Sequence, residues 1–282
     1  MRGRWRARAA IVLVLTLLGL VIAGIAPSGA APPAGPRDSV AVTRNIRYGE
    51  APTAAGMKAL LADLYQPSGG SVSRPAVILV HGGGFVQGDK TNPQWVQHCR
   101  SLATRGYVCL SINYRLEGDR PVIAGATARA RAVAAAAEDA ATAVRWLQHE
   151  AATLGVDPSR IAIGGGSAGA IAALLAAYSE GGPRVAAVVS LWGSMLGRTD
   201  LIGPGAPPVL LIHGVDDPTV PLAASEAIAA RAEEVGVRYA FYAVPGVGHG
   251  MSPRHLVDGR PLSTLIADVL DEWLRPGEAG GA

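Results

Sequence analysis

The chain has 282 residues, of which 49% are hydrophobic and 17% charged, with 36 glycines and 20 prolines; this composition fits one large turn-rich globular domain and excludes wholesale disorder. Its formal charge of +3 resides in the first eight residues, because setting aside Arg2, Arg4, Arg6 and Arg8 leaves 21 basic against 22 acidic side chains, a net of −1. The basic balance therefore gives no support for a nucleic-acid partner.

Met1 to Arg8 is a basic start, followed by an uncharged apolar run from Ala9 to about Ala26 and by small residues at Ser28-Gly29-Ala30. These are the parts of a secretory signal peptide over residues 1–30. The run also approaches the length of a membrane span, so an uncleaved amino-terminal anchor is the alternative, and only then does a membrane enter as a partner. Either reading places the domain outside the cytoplasm, secreted or held on the outer face of the cell membrane. Residues 31–40 read as an Ala/Pro/Gly linker, 41–276 as the catalytic domain and 277–282 as a disordered tail.

Asn45 to Tyr48 and Ala59 to Tyr65 read as a first antiparallel pair of strands. The wholly apolar Ala76 to Val80 reads as a buried central strand ending at His81-Gly82-Gly83-Gly84. A helix over Pro93 to Thr104 and a strand over Tyr107 to Asn113 follow. The longest helix is expected from about Ala126 to Leu154, broken near its start, closed by Gly155 and followed by a turn at Asp157-Pro158. Then come a strand at Ile161 to Ile163, a small-residue helix from Ala170 to Tyr178, and strands at Val185 to Leu191 and Val209 to Ile212. A helix over Ala223 to Val235, a last strand from Arg238 to Val244 and a helix from Leu262 to Leu274 complete the series. This alternation implies an α/β fold, a mostly parallel sheet of about eight strands with helices on both faces. The connection from Leu191 to Val209 is too short for a large lid. Leu116 to Ala126 is the remaining candidate for a modest flap. Cys99 and Cys109 either pair, pinning a helix end to the next strand, or lie as two buried thiols; export favours the pairing.

Gly165-Gly166-Ser167-Ala168-Gly169 is a G-x-S-x-G between an apolar strand and a helix. A serine on such a turn stands proud of the sheet, in a strained conformation that tolerates only small neighbours, and here Gly165 and Gly169 supply the room. His81-Gly82-Gly83-Gly84-Phe85 offers backbone amides to an oxyanion, with Gly83, Gly84 and the amide of Ala168 as the expected donors. A phosphate-binding turn is the competing reading of these glycines, but no P-loop lysine follows them. Asp216 and Asp217 both follow the strand Val209 to Ile212. Asp217, leading into Pro218, is the expected triad acid, and Asp216 the turn residue. His249 lies in a glycine-flanked loop after the last strand and is the expected base. His213 reads as structural, His98 and His149 as helix-surface residues, and His255 as solvent-facing. The chain order Ser, Asp, His is the one found in α/β-hydrolases.

With these residues the chain resembles the α/β-hydrolase carboxylesterases, in the branch with an HGGG oxyanion motif that includes acetyl-esterase and hormone-sensitive-lipase-like enzymes. Asn113-Tyr114-Arg115-Leu116, Asp139 to Trp146 and Gly155 to Arg160 add to the likeness. The resemblance implies a serine esterase acting on small uncharged acyl esters, with neither metal nor organic cofactor. Gly166 departs from it, since hormone-sensitive-lipase-like members usually carry Asp there, and so does the small or absent cap. Both favour a smaller, open esterase with short acyl chains. A peptidase or other acyl hydrolase on the same machinery, or a non-catalytic binding member of the fold, are the rival functions.

Overall fold

The computed structural model describes residues 39–69 and 73–275. The expected leader, the linker up to residue 38 and the tail at 277–282 lie outside the described residues.

Eight strands form one sheet: β1 (Val40–Thr53), β2 (Gly56–Pro67), β3 (Arg74–Val80), β4 (Val108–Ile112), β5 (Val156–Gly166), β6 (Ala187–Leu191), β7 (Val209–Gly214) and β8 (Tyr239–Val244). Their spatial order is β1-β2-β4-β3-β5-β6-β7-β8, with the β1–β2 and β2–β4 pairings antiparallel at one edge and every pairing from β4 onward parallel. The parallel strands are apolar on both faces because helices cover both. Alternation within β3 divides the core: Ile78 and Val80 face one hydrophobic cluster, Val77 and Leu79 the other. The helices α1 (Pro93–Thr104) and α6 (Leu262–Leu274) close the second cluster, and α2 (Ala128–His149), α4 (Ala168–Tyr178) and α5 (Ala223–Glu234) the first.

Several expected elements change. The first hairpin is longer than its alternation indicates, because register shifts at Thr43/Ile46 and Arg47/Gly49 interrupt the two-residue period. The long helix breaks near its end rather than its start: α2 stops at His149, Glu150 leaves helical geometry at φ −84° and ψ 3°, and α3 (Ala151–Leu154) follows. No glycine or proline marks that break. Gly155 ends α3 at φ 65°. The turn at Asp157-Pro158 sits inside β5, in the irregularity between the Arg74 and Ala76 pairings, where Asp157 Oδ1 accepts from the Ser159 amide at 2.9 Å. A small ribbon, β9 (Leu256–Val257) with β10 (Arg260–Pro261), escaped the sequence reading although Asp258-Gly259 is a hairpin signal.

No cap interrupts the described fold. The connection after β6 holds one short 3₁₀ turn at Thr199–Leu201. The candidate flap is not free, since Ala54 N donates to Arg120 O at 3.1 Å and Val122 N to Pro52 O at 3.2 Å, tying it to the β1–β2 hairpin. Cys99 on α1 and Cys109 on β4 are joined in a disulfide with their Cα atoms 5.2 Å apart.

Candidate active site

The carboxyl ends of β3, β5, β7 and β8 carry the four segments singled out by sequence, at the edge where parallel sheets bind ligands. Ser167 links β5 to α4 at φ 53° and ψ −121°, a left-handed backbone that strains any residue with a side chain. The turn closes because its neighbours lack side chains. A Cβ at Gly165 or Gly169 would lie 2.3 or 2.0 Å from Val80 O. At Gly166 it would lie 2.8 Å from Trp95 Cη2 and 3.1 Å from Trp192 Cζ2, so two indoles occupy the space that an aspartate side chain takes in the hormone-sensitive-lipase-like pattern.

The structure brings the three expected residues together. Ser167 Oγ lies 2.8 Å from His249 Nε2, and His249 Nδ1 lies 2.7 Å from Asp217 Oδ2. Asp217 Oδ1 accepts from the amides of Thr219 at 2.8 Å and Val220 at 3.0 Å. Burial pushes the Asp217 carboxyl upward, but the hydrogen bonds from His249, Val220 and Thr219 outweigh it and hold the group below the usual carboxylate range. That leaves a fixed anion facing the imidazole. Its neighbour Asp216 is exposed, and its amide donates to Val247 O at 3.0 Å, which stitches the acid turn to the loop bearing His249. Gln94 Nε2, donating to Met251 O at 2.9 Å, anchors the same loop from α1.

The Gly82–Gly84 loop packs on the nucleophile turn, since a Cβ at Gly82 would lie 2.9 Å from Gly166 O and 3.5 Å from Ser167 Cβ. Gly83 adopts φ 114° and its carbonyl takes the amides of Val86 and Gln87, a geometry open only to glycine. His81 stacks on Tyr114 with ring centroids 4.4 Å apart, and Tyr114 Oη donates to His81 O at 3.0 Å. Behind the loop lies a polar brace of which the sequence reading named only Asn113, and not Asp63, Asp89 or Lys90. Asn113 Oδ1 accepts from Lys90 N at 2.6 Å, Asn113 Nδ2 donates to Asp89 Oδ2 at 2.7 Å, and Lys90 Nζ pairs with the buried Asp63 at 2.8 Å. A charged pair following a Gly-rich loop was the available signal. Arg115, wholly buried, is clasped by Asp139 at 2.7 Å and fixes the turn that carries Tyr114.

Among the remaining histidines, His149 is exposed as expected. His98 is not. It lies on the α1 stripe Trp95, His98, Cys99 and Leu102, is 3% exposed, and burial pushes its pKa down to about 4. Helical spacing with Trp95 and Leu102 was the signal for this. His213 is buried as a structural residue, yet it also reaches the site: its Nε2 lies 2.9 Å from Val220 O and 3.2 Å from Asp217 Oδ2, and its Nδ1 2.7 Å from Ser225 Oγ. Val220 O accepts the Nε2 proton, and Asp217 Oδ2 lies close beside the same nitrogen. No group of three or more metal-ligating side chains occurs among the described residues.

Comparison with known proteins places this geometry. Residues 62–190 match the family described as BD-FAE, and residues 203–260 the prolyl oligopeptidase family. Among solved structures, esterase 2 of Thermogutta terrifontis phosphorylated by paraoxon superposes with a TM-score of 0.68 at 25% identity, over 84% of this chain and 96% of that one. The chain has the α/β-hydrolase fold. A truncated carbohydrate esterase from gut microbiota shares the fold at a TM-score of 0.65 and 20% identity, over 86% of this chain and 98% of that one. In sequence, the chain is 37% identical to carboxylesterase NlhH of Mycobacterium tuberculosis over 39% of its own length and 31% of that protein's. It is 27% identical to esterase LipQ of the same organism over 83% of its own length and 63% of LipQ. The matches with the first of these relatives thus span about a third of their length.

Proposed function

We propose that this α/β-hydrolase is an exported serine esterase that hydrolyses small carboxylic esters through an acyl-enzyme. The reading rests on one observation, the continuous hydrogen-bonded line from Ser167 Oγ through His249 to Asp217 on a strained strand-to-helix turn. His249 takes the Ser167 proton as the hydroxyl oxygen attacks the ester carbonyl, while Asp217 holds the imidazole tautomer and stabilises the imidazolium. The amides of Gly83, Gly84 and Ala168 receive the developing oxyanion, and the last of these opens α4, whose amino terminus favours negative charge. His249 then protonates the leaving alcohol, and activates the water that releases the acid. The buried disulfide and the signal-like leader support export.

Ser167→Ala should lower turnover of p-nitrophenyl acetate by about 10⁶-fold, the scale seen when such a unit loses its nucleophile. Near wild-type hydrolysis by that variant, or no labelling of the wild type by a fluorophosphonate, would overturn the assignment. The prolyl oligopeptidase match at residues 203–260 covers the segments bearing Asp217 and His249, which supports the same machinery turned on amides as a second reading. A panel of aminoacyl amides beside esters separates the two. Recovery of the protein from the medium with its amino terminus near Ala31 supports export with cleavage, and retention in the cytoplasm refutes it.

A further inference from the structure

A groove of about 660 Å³ opens between α2, α4 and the connection after β6. Its α2 side is the stripe Ala130, Val133, Ala137 and Ala141, spaced three or four residues apart and so on one helical face. Ile171 and Leu175 form the α4 side, one turn apart. The small alanines leave width that larger residues would fill, and the volume lies within the roughly 300–1,000 Å³ of small-molecule sites.

Neither Ser167 nor His249 lines this groove, but its inner wall grows out of the reacting centre. Phe85 directly follows Gly84, and Ile171 is one turn beyond Ser167, its amide donating to Ser167 O at 3.0 Å. Arg129 bridges the two regions: it donates to Gly84 O, and its guanidinium lies 4.8 Å from the Phe85 ring centroid. At the outer wall Leu196 is 54% exposed in a left-handed conformation, φ 51°. An apolar side chain left more than half exposed on that strained backbone suits a ligand passing beneath it.

Building on the esterase reading, we propose that this groove is the subsite for an unbranched hydrocarbon chain of the ester, several carbons longer than acetyl. The expectation of short acyl chains came from the lack of a cap; the groove supplies apolar α2 and α4 walls without one, with Glu138, Arg145, Glu180 and Arg198 also in its lining. Each methylene moved from water into it favours binding about fourfold. The specificity constant should therefore climb by up to that factor per carbon until the groove is full.

The experiment measures kcat/KM for p-nitrophenyl esters from acetyl to decanoyl, and for acetate esters of alcohols of matching length. Wild type is compared with Ala137→Trp and, should that variant fold poorly, with Ala134→Phe at another α2 residue lining the groove. In whichever series enters the groove, wild type should prefer long chains and the variants should lose at least tenfold of that preference while hydrolysing the acetyl ester at the wild-type rate. An unchanged chain-length profile in both variants overturns the proposal. So does a wild-type dimer that Ala137→Trp dissociates, since a second copy would then fill the groove. If wild type fails on p-nitrophenyl acetate itself, the esterase reading falls separately. Decanoate binding by calorimetry then decides the subsite, supported if Ala137→Trp abolishes it and refuted if it does not.

Discussion

Gly166 gives the sharpest test of how packing shapes the nucleophile turn. Trp95 and Trp192, each 3% exposed, stand where a Cβ would be, at 2.8 Å and 3.1 Å. Carbon contacts are favourable near 3.5–4.0 Å, so Gly166→Ala must displace at least one indole by about an ångström. Overpacking of this kind costs about 2 kcal/mol, which for a domain of this size lowers Tm by about 4–8 °C. Gly166→Asp adds a carboxylate between two apolar rings. The burial of an unpaired polar group raises the loss by roughly 2 kcal/mol or more, enough to bring a domain near its threshold for folding. The assay is thermal unfolding of both variants together with a cycle on Trp95→Phe. If the indole is the obstacle, Gly166→Ala in the Trp95→Phe background should cost at least about 1 kcal/mol less than in wild type. Additive effects in that cycle, or a Gly166→Ala protein as stable as wild type, would show that the tryptophans yield and that sterics do not explain the glycine.

His98 should make stability depend on pH. Its folded pKa of about 4 lies below the unfolded value of about 6.5, so the unfolded chain binds the extra proton between those values and stability falls as pH drops through that window, by about 3 kcal/mol in all. In His98→Leu, urea unfolding across pH 4 to 6.5 should lose that slope; an unchanged slope refutes the assignment. Asp217, held below the usual carboxylate range, acts with the same sign at lower pH: its share is present above the unfolded carboxyl pKa of about 3.9 and is lost only as pH falls through its depressed folded value. His213→Leu removes the imidazole that lies 3.2 Å from Asp217 and that holds Val220 O and Ser225 Oγ in the acid turn. Turnover per titrated active site should fall on the order of tenfold with KM unchanged, and His213→Gln should restore part of it. Full turnover in His213→Leu would show that the contact at 3.2 Å does not act on the site.

Local chemistry made much of this protein legible before any coordinates. Apolar strands ending in glycine, the serine flanked by Gly165 and Gly169, and the imidazole between Gly248 and Gly250 each carry their signal within a few residues. Steric limits on a tight turn and the two-residue and 3.6-residue periods are local rules, so the helices at Pro93–Thr104 and Leu262–Leu274 fall where the pattern puts them. Asp217 was separable from Asp216 because the adjacent proline marks the turn. What remained closed depends on partners far away in the chain. The indoles that forbid a side chain at Gly166 come from α1 and from the connection after β6. The approach of His213 to Asp217, the clasp of Arg115 by Asp139, and the burial of His98 likewise exist only once helices pack on the sheet. A sequence lists which groups are available; contact across the layers decides which of them meet, since hydrogen bonds and close packing act over about 3–4 Å regardless of separation along the chain.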